Sequence, residues 1–286
     1  MAANANTKYK DSVFSLLFSK PDLLREVYCT LEGVSLPPDV PVTINTLRDV
    51  LFQNRINDIS FEIGGKMVVL IEHQSSLTPN LALRLLMYIA RVYEKIIGAN
   101  KKLYTSQLIR IPWPEFFVLY NGKSPFPEKQ TLKLSDAFEN PASLGLPEKE
   151  SPALELVARV ININQGKNDK LVQKCRILAQ YSAFIAKARE NEGIYADRKE
   201  AFRQAILYCR DNNILKEFLE KHGTEVLNML YAEWNQEEAL DVRYAEGMEK
   251  GREEIAINAL AEGASVDFVQ KITGLDLETV KNLKAP

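Results

Sequence analysis

Two carboxylates and an amide are the side chains best placed for chemistry in this chain. The segment Arg55-Ile-Asn-Asp58-Ile-Ser-Phe-Glu-Ile-Gly-Gly-Lys-Met-Val-Val-Leu-Ile-Glu72-His-Gln74 sets an Asp at the head of one apolar run and a Glu and a Gln at the end of the next. Runs of this composition around Gly64-Gly65 read as a β-hairpin. Side chains alternate faces along a strand, so Glu72 and Gln74 share a face and His73 points the other way. Asp58 joins them only in one register. A two-residue loop, Gly64-Gly65, puts Asp58 on the face opposite Glu72. A three-residue loop, Gly64 to Lys66, puts Asp58 directly across from Glu72 and sends Ile59, Phe61, Ile63, Met67, Val69 and Ile71 to the other face. The second arrangement sorts the apolar side chains cleanly, and a one-residue slip would scramble them, so the odd register is expected. Two facing carboxylates repel unless a cation lies between them, and an all-oxygen set suits Mg²⁺ or Mn²⁺. The competing reading is a pair of strand-end polar residues rimming a core.

The elements that must hold these residues follow from periodicity. Val13 to Phe18 and Pro21 to Leu31 carry apolar residues at helical spacing, Pro21 suiting a first helical position and Gly33 a stop. Strands are expected over Val42 to Phe52, Ile56 to Ile63 and Lys66 to His73, then a long helix from Asn80 to Ile97. Phe116 to Tyr120 and Leu154 to Ile163 read as further strands, with a Pro-rich loop after the first. The rest reads as helical: Asp169 to Arg189, Arg198 to Glu220, a charged helix from Glu233 to Glu254, and three short helices, Ile255 to Glu262, Val266 to Thr273 and Leu277 to Lys284. The expected division is 8–235 for the main domain and 236–286 for a charged helix and a helix-turn-helix-like tail. That tail offers only Lys281 and Lys284 on its second helix, poor equipment for reading a groove.

Composition bounds the function. The 286 residues hold 36 Lys and Arg against 38 Asp and Glu, a formal charge of −2, with 46% apolar and 26% charged side chains. Global disorder is excluded, and so is a protein that coats nucleic acid through a general excess of cations. Cys29, Cys175 and Cys209 lie far apart without a Cys-x-x-Cys, which argues against a zinc site or a disulfide framework. Uninterrupted apolar runs such as Met67 to Ile71 are far short of the ~20 residues of a spanning helix. No membrane association and a cytoplasmic location are expected. His73 and His222 are the only histidines, so carboxylates are left as metal ligands, and His222 is expected to cap a helix end.

Arg84, Tyr88, Arg91 and Lys95 recur at helical spacing as one basic stripe on the helix after Gln74, whose remaining circumference is mostly apolar. Such a stripe beside an acidic hairpin suits contact with DNA phosphates, although ion pairs to the core would use the same residues. Asn121-Gly-Lys-Ser124 lacks the first glycine of a phosphate-binding loop and is followed by Pro125.

Asp58, Glu72 and Gln74 resemble the PD-(D/E)XK nuclease pattern, and the wider sequence resembles the recombination-promoting nuclease (Rpn) family, whose members are also described as putative transposases. Lys10-Asp11-Ser-Val-Phe14-Ser-Leu-Leu-Phe18, Asn57-Asp58-Ile-Ser-Phe, Val-Leu-Ile-Glu72-His-Gln74-Ser, Leu83-Arg84-Leu-Leu-Met-Tyr88-Ile-Ala-Arg91-Val-Tyr93 and the Gly-punctuated C-terminal helix carry the resemblance. It implies a restriction-endonuclease-like α/β core with a mixed central sheet, Mg²⁺-dependent DNA cleavage and a bacterial source. By position it implies Asp58 and Glu72 as metal ligands, Gln74 where the motif usually has Lys, and Asp11 as an additional acid. A neutral Gln orients water by hydrogen bonding but brings no charge. The expected function is a divalent-metal-dependent DNA endonuclease linked to recombination, mobile elements or defence. The alternative is a catalytically degenerate interaction or DNA-binding protein of the same fold. Gly247 and Gly251, four apart on the charged helix, suggest either close packing in a homodimer or a flexible linker.

Overall fold

Gly64 and Gly65 take φ of 57° and 63°, a backbone that costs a residue with a Cβ about 1–2 kcal/mol. Lys66 N–H donates to Ile63 O at 3.1 Å, which closes a three-residue loop. Strands β2 (Asp58–Ile63) and β3 (Met67–Gln74) therefore pair with Ile63 opposite Met67 and Asp58 opposite Glu72. This is the odd register that the sorting of apolar side chains requires.

The computed structural model describes residues 13–45, 58–75, 77–98, 101–139, 144–145 and 151–283. The chain divides into two units, Met1–Tyr231 and Ala232–Pro286. In the first, the hairpin belongs to a mixed six-stranded sheet of order β1-β2-β3-β4-β6-β5. Strand β1 (Val42–Asn45) is antiparallel to β2, while β4 (Trp113–Tyr120) and β6 (Val157–Asn162) run parallel to β3 and to each other. Strand β5 (Lys129–Lys133) closes the far edge antiparallel to β6. Strands covered on both faces read as continuous apolar runs, as β3 and β4 do.

Helix α3 (Leu81–Ile97) covers one face: its Leu81, Ala82, Leu85, Ile89 and Val92 pack with Val68, Leu70, Phe116, Val118, Ala158 and Val160 of the sheet. The other face receives α1 (Val13–Leu17), α2 (Pro21–Glu32) and α5 (Arg176–Glu192). There the Phe14 ring stacks on His73 at 4.8 Å, and Tyr28 meets Phe117 edge-on at 6.4 Å. The architecture is α/β, with every second residue of β3 committed to one layer.

Several local expectations are corrected. The stretch after Tyr120 was expected to be only loop, yet it contains β5. That strand is exposed and Lys-flanked, so its pairing with β6 rather than its own pattern makes it a strand. The expected helix Asp169 to Arg189 is two, α4 (Asp169–Val172) and α5, because Cys175 is extended and Glu26 of α2 accepts from Arg176 N–H at 2.9 Å, capping α5 from a distance. The expected helix Arg198 to Glu220 stops at α6 (Arg198–Asp211). Asn213 and Leu215 then take positive φ, and Gln180 of α5 accepts from Leu215 N–H. Beyond it, α7 runs unbroken over Lys216–Ala261, through the expected boundaries at Glu233 and Ile255. Its strong helix formers and lack of proline outweigh the glycines, each of which costs ~1 kcal/mol. His222 consequently lies inside α7, paired with Glu225 at 3.1 Å rather than capping an end. The expected strand beyond Asn45, to Phe52, falls outside the described residues.

In the second unit, α8 (Val266–Thr273) and α9 (Leu277–Asn282) turn about Gly274. Ser265 and Asp276 cap them by accepting from Phe268 and Thr279 N–H. Their core is small: Ala256 of α7, Val269 and Val280. Among the described residues no helix is long and apolar enough to cross a membrane.

Candidate functional site

Strand periodicity and loop length together put Asp58, Glu72 and Gln74 on the face of the sheet that α3 covers. Asp58 and Glu72 are directly opposed in the ladder, where facing Cβ atoms lie about 4.5–5.5 Å apart. Glu72 is 1% exposed. Its Oε1 accepts from Gln74 Nε2, two residues along the same strand face, and from Arg84 Nη2 in the first turns of α3. The expected acid and amide are thus joined, and a member of the basic stripe joins them. Asp11 lies outside the described residues.

The rest of the stripe follows along the same helix. Tyr88 is half-buried against the α3 layer. Arg91 is exposed and donates to Glu94 Oε2 at 2.7 Å, while Lys95 is exposed in the last turn. The helix is less enclosed than its composition suggests. Leu83 and Met87 point outward at 42% and 47% exposure, so α3 buries one face instead of most of its circumference.

His73 faces the opposite layer, as alternation demands. Its Nε2 meets the Tyr181 hydroxyl at 3.1 Å beneath the stacked Phe14 ring. Burial, with a smaller push from the Arg189 charge and a hydrogen bond to Asn121 acting against it, lowers its pKa to about 3. It is a neutral core histidine. Cys175 and Cys209 are buried, and burial pushes their thiols up to about 12 and about 11. Cys29 is only half-buried.

Beside Gln74, the ends of the parallel strands carry polar residues that periodicity did not single out. Asn121 N–H donates to Gln74 O at 3.0 Å, which continues the β3–β4 pairing past the strand ends. A Cβ on Gly122 would sit 1.8 Å from Ser75 O and 2.4 Å from Tyr120 Oη, so the Asn121-Gly-Lys-Ser124 turn owes its glycine to close backbone approach and not to a phosphate. Arg189 of α5 donates to Asn121 O and, at 2.8 Å, to Asn164 Oδ1, while Asn168 Nδ2 donates to Asn162 O at 3.0 Å. A sequence signal existed: asparagines directly after apolar strands, at the carboxyl ends of parallel strands where α/β proteins place their ligands.

Chemically, the face offers carboxylate and amide oxygens near a guanidinium, with no sulfur or imidazole. Such donors match a hard divalent cation. Among the described residues no three His, Cys, Asp or Glu side chains converge on one point; the Asp58 side chain lies outside that description.

No curated protein and no solved structure matches the chain. A family model does: the one described as "Putative transposase, YhgA-like" matches residues 44–193. The matched stretch runs from β1 to just past α5, taking in the hairpin, α3 and the polar strand ends, and covers more than half of the chain. The protein is therefore a member of the family described as "Putative transposase, YhgA-like".

Proposed function

We propose that this chain is a divalent-metal-dependent DNA endonuclease with a PD-(D/E)XK-type core, acting in recombination, on mobile elements or in defence. The observation that carries the reading is the direct opposition of Asp58 and Glu72 in the hairpin, with Gln74 on the same face. Membership of a family described as putative transposases supports a role connected with mobile elements. Asp58 and Glu72 would hold Mg²⁺ or Mn²⁺, which supplies a Lewis acid for the phosphate and a more acidic water. Asp11 is assigned as a further acid.

The chain's own residues do the rest. Gln74 donates through Nε2 to Glu72, leaving its carbonyl to accept a hydrogen from the attacking water. Being neutral, Gln74 brings no positive charge of its own to the site. Arg91, Lys95 and Tyr88 of α3 grip phosphates of the bound duplex, fixing its position rather than reading sequence. Arg84 belongs to the same stripe, and its hydrogen bond to Glu72 supports a role beside the metal ligands. Incubation of supercoiled plasmid with purified protein and Mg²⁺ or Mn²⁺ tests the reading: nicking by the wild type and not by Glu72→Ala is expected, and equal nicking by both would refute the site.

A second reading has one observation behind it: the Arg84–Glu72 contact also suits a structural ion pair in a degenerate, non-catalytic binding protein. Calorimetry with Mn²⁺ separates the two. Uptake lost in Asp58→Asn belongs to the nuclease, and no heat with either protein belongs to the binding module.

A further inference from the structure

We infer that Arg84 is a positioning residue for Glu72: from helix α3 its guanidinium supplies the positive charge that neutral Gln74 does not bring to the acidic face of the hairpin.

A carboxylate as buried as Glu72 keeps its charge only where hydrogen bonds and a counter-charge replace water. Two donors converge on its Oε1. Gln74 Nε2 comes from the same strand and carries no charge, whereas Arg84 Nη2 comes from the neighbouring layer and does. The route by which the guanidinium arrives is built into the core. Leu81, Ala82 and Leu85 are all buried on the sheet, and Arg84 N–H closes the first turn on Asn80 O at 3.0 Å. The point at which Arg84 leaves the helix is thereby fixed over the end of β3, and its side chain is only 19% exposed.

The basic stripe therefore divides by role. Arg91 stands half in solvent and pairs with Glu94 one turn along its own helix, at the surface where a phosphate could displace the pair. Arg84 is turned inward onto the carboxylate. Its effect passes through Glu72: it holds one carboxylate oxygen in a fixed direction and lowers the repulsion from Asp58 across the ladder. The catalytic consequence of this inference rests on the nuclease reading; the charge pairing does not.

The test moves the charge. Gln74 Nε2 already reaches Glu72, and a lysine at that position is one bond longer, so it can deliver an ammonium to the same oxygen. Four full-length proteins are compared: wild type, Arg84→Gln, Arg84→Lys, and the double variant Arg84→Gln with Gln74→Lys. Melting temperature without metal, Mn²⁺ affinity by calorimetry, and kcat and KM for plasmid nicking are the readouts. Arg84→Gln should melt lower and lose about 100-fold in kcat with KM little changed. The double variant should recover both the melting temperature and most of kcat, which a merely space-filling role for Arg84 would not allow.

Wild-type behaviour of Arg84→Gln overturns the inference. So does a loss that appears in KM and is not recovered by the double variant, since that marks a phosphate grip. If the double variant does not fold, Arg84→Lys decides: melting near wild type upholds the charge role, and melting as low as Arg84→Gln overturns it. Should the wild type neither take up Mn²⁺ nor cut DNA, the nuclease reading falls, and the melting comparison alone upholds or overturns the pairing.

Discussion

Asp58 and Glu72 face each other across one antiparallel ladder because three residues, and not two, turn the hairpin between them. The loop is thus as important to the site as the acids. Gly65 has positive φ and open space around its Cβ position, so Gly65→Ala tests backbone strain without a clash. We expect a loss of about 1–2 kcal/mol in urea unfolding with the register intact; an unchanged midpoint would show that the turn relaxes freely.

Tyr181 and His73 offer a second stability test. Removing the hydroxyl in Tyr181→Phe leaves the His73 Nε2 buried without that partner, which costs about 1–3 kcal/mol. The same substitution at Tyr195, an exposed tyrosine, serves as control and should cost nothing measurable.

Glu115 gives a pH dependence. Burial, then the nearby Glu32 charge, raise its pKa, while Arg159 and a hydrogen bond from Tyr28 act against the rise. A carboxyl with a raised pKa in the folded state binds a proton more readily folded than unfolded. Its contribution to stability is present in acid and is lost as pH rises through the folded value, above the unfolded ~4.3. Glu115→Gln should therefore fall less in stability than wild type between about pH 4 and pH 7. Parallel denaturation curves for the two proteins over that range would contradict this.

Thiol labelling tests the burial of the cysteines. Cys175 and Cys209 are buried, with thiols pushed up by that burial, whereas Cys29 is only half-buried and open to reagent. Mass spectrometry after brief iodoacetamide treatment should find one adduct, at Cys29, on the native chain and all three sites modified in denaturant. Early modification of Cys209 would mean that α6 opens readily.

The proposed homodimer is tested on α7. Met248 and Ile255 are exposed on it, and Gly247 and Gly251 have no neighbour within 4 Å of a Cβ position, as a surface awaiting a second helix would. Light scattering should give a dimer mass for the full chain and a monomer mass for Ile255→Glu. A monomeric wild type would end that role for the helix.

Much of the site was legible in the residues themselves. Strand alternation has a period of two and is local, so the sorting of Ile59, Phe61, Ile63, Val69 and Ile71 to one face determined that Asp58 meets Glu72, that Gln74 joins them, and that His73 turns away. Helix α3 was equally readable, because its apolar spacing lies within the segment itself. Only the tertiary structure decided the remainder. Arg84 reaches Glu72 because α3 packs on the α3 face of β3; Glu26 ends one helix break by capping α5 from α2; Gln180 holds the turn before α7; and β5 exists through its pairing with β6. Each of these joins residues distant along the chain. Such contacts are set by how the layers pack, which no periodicity within a single segment encodes.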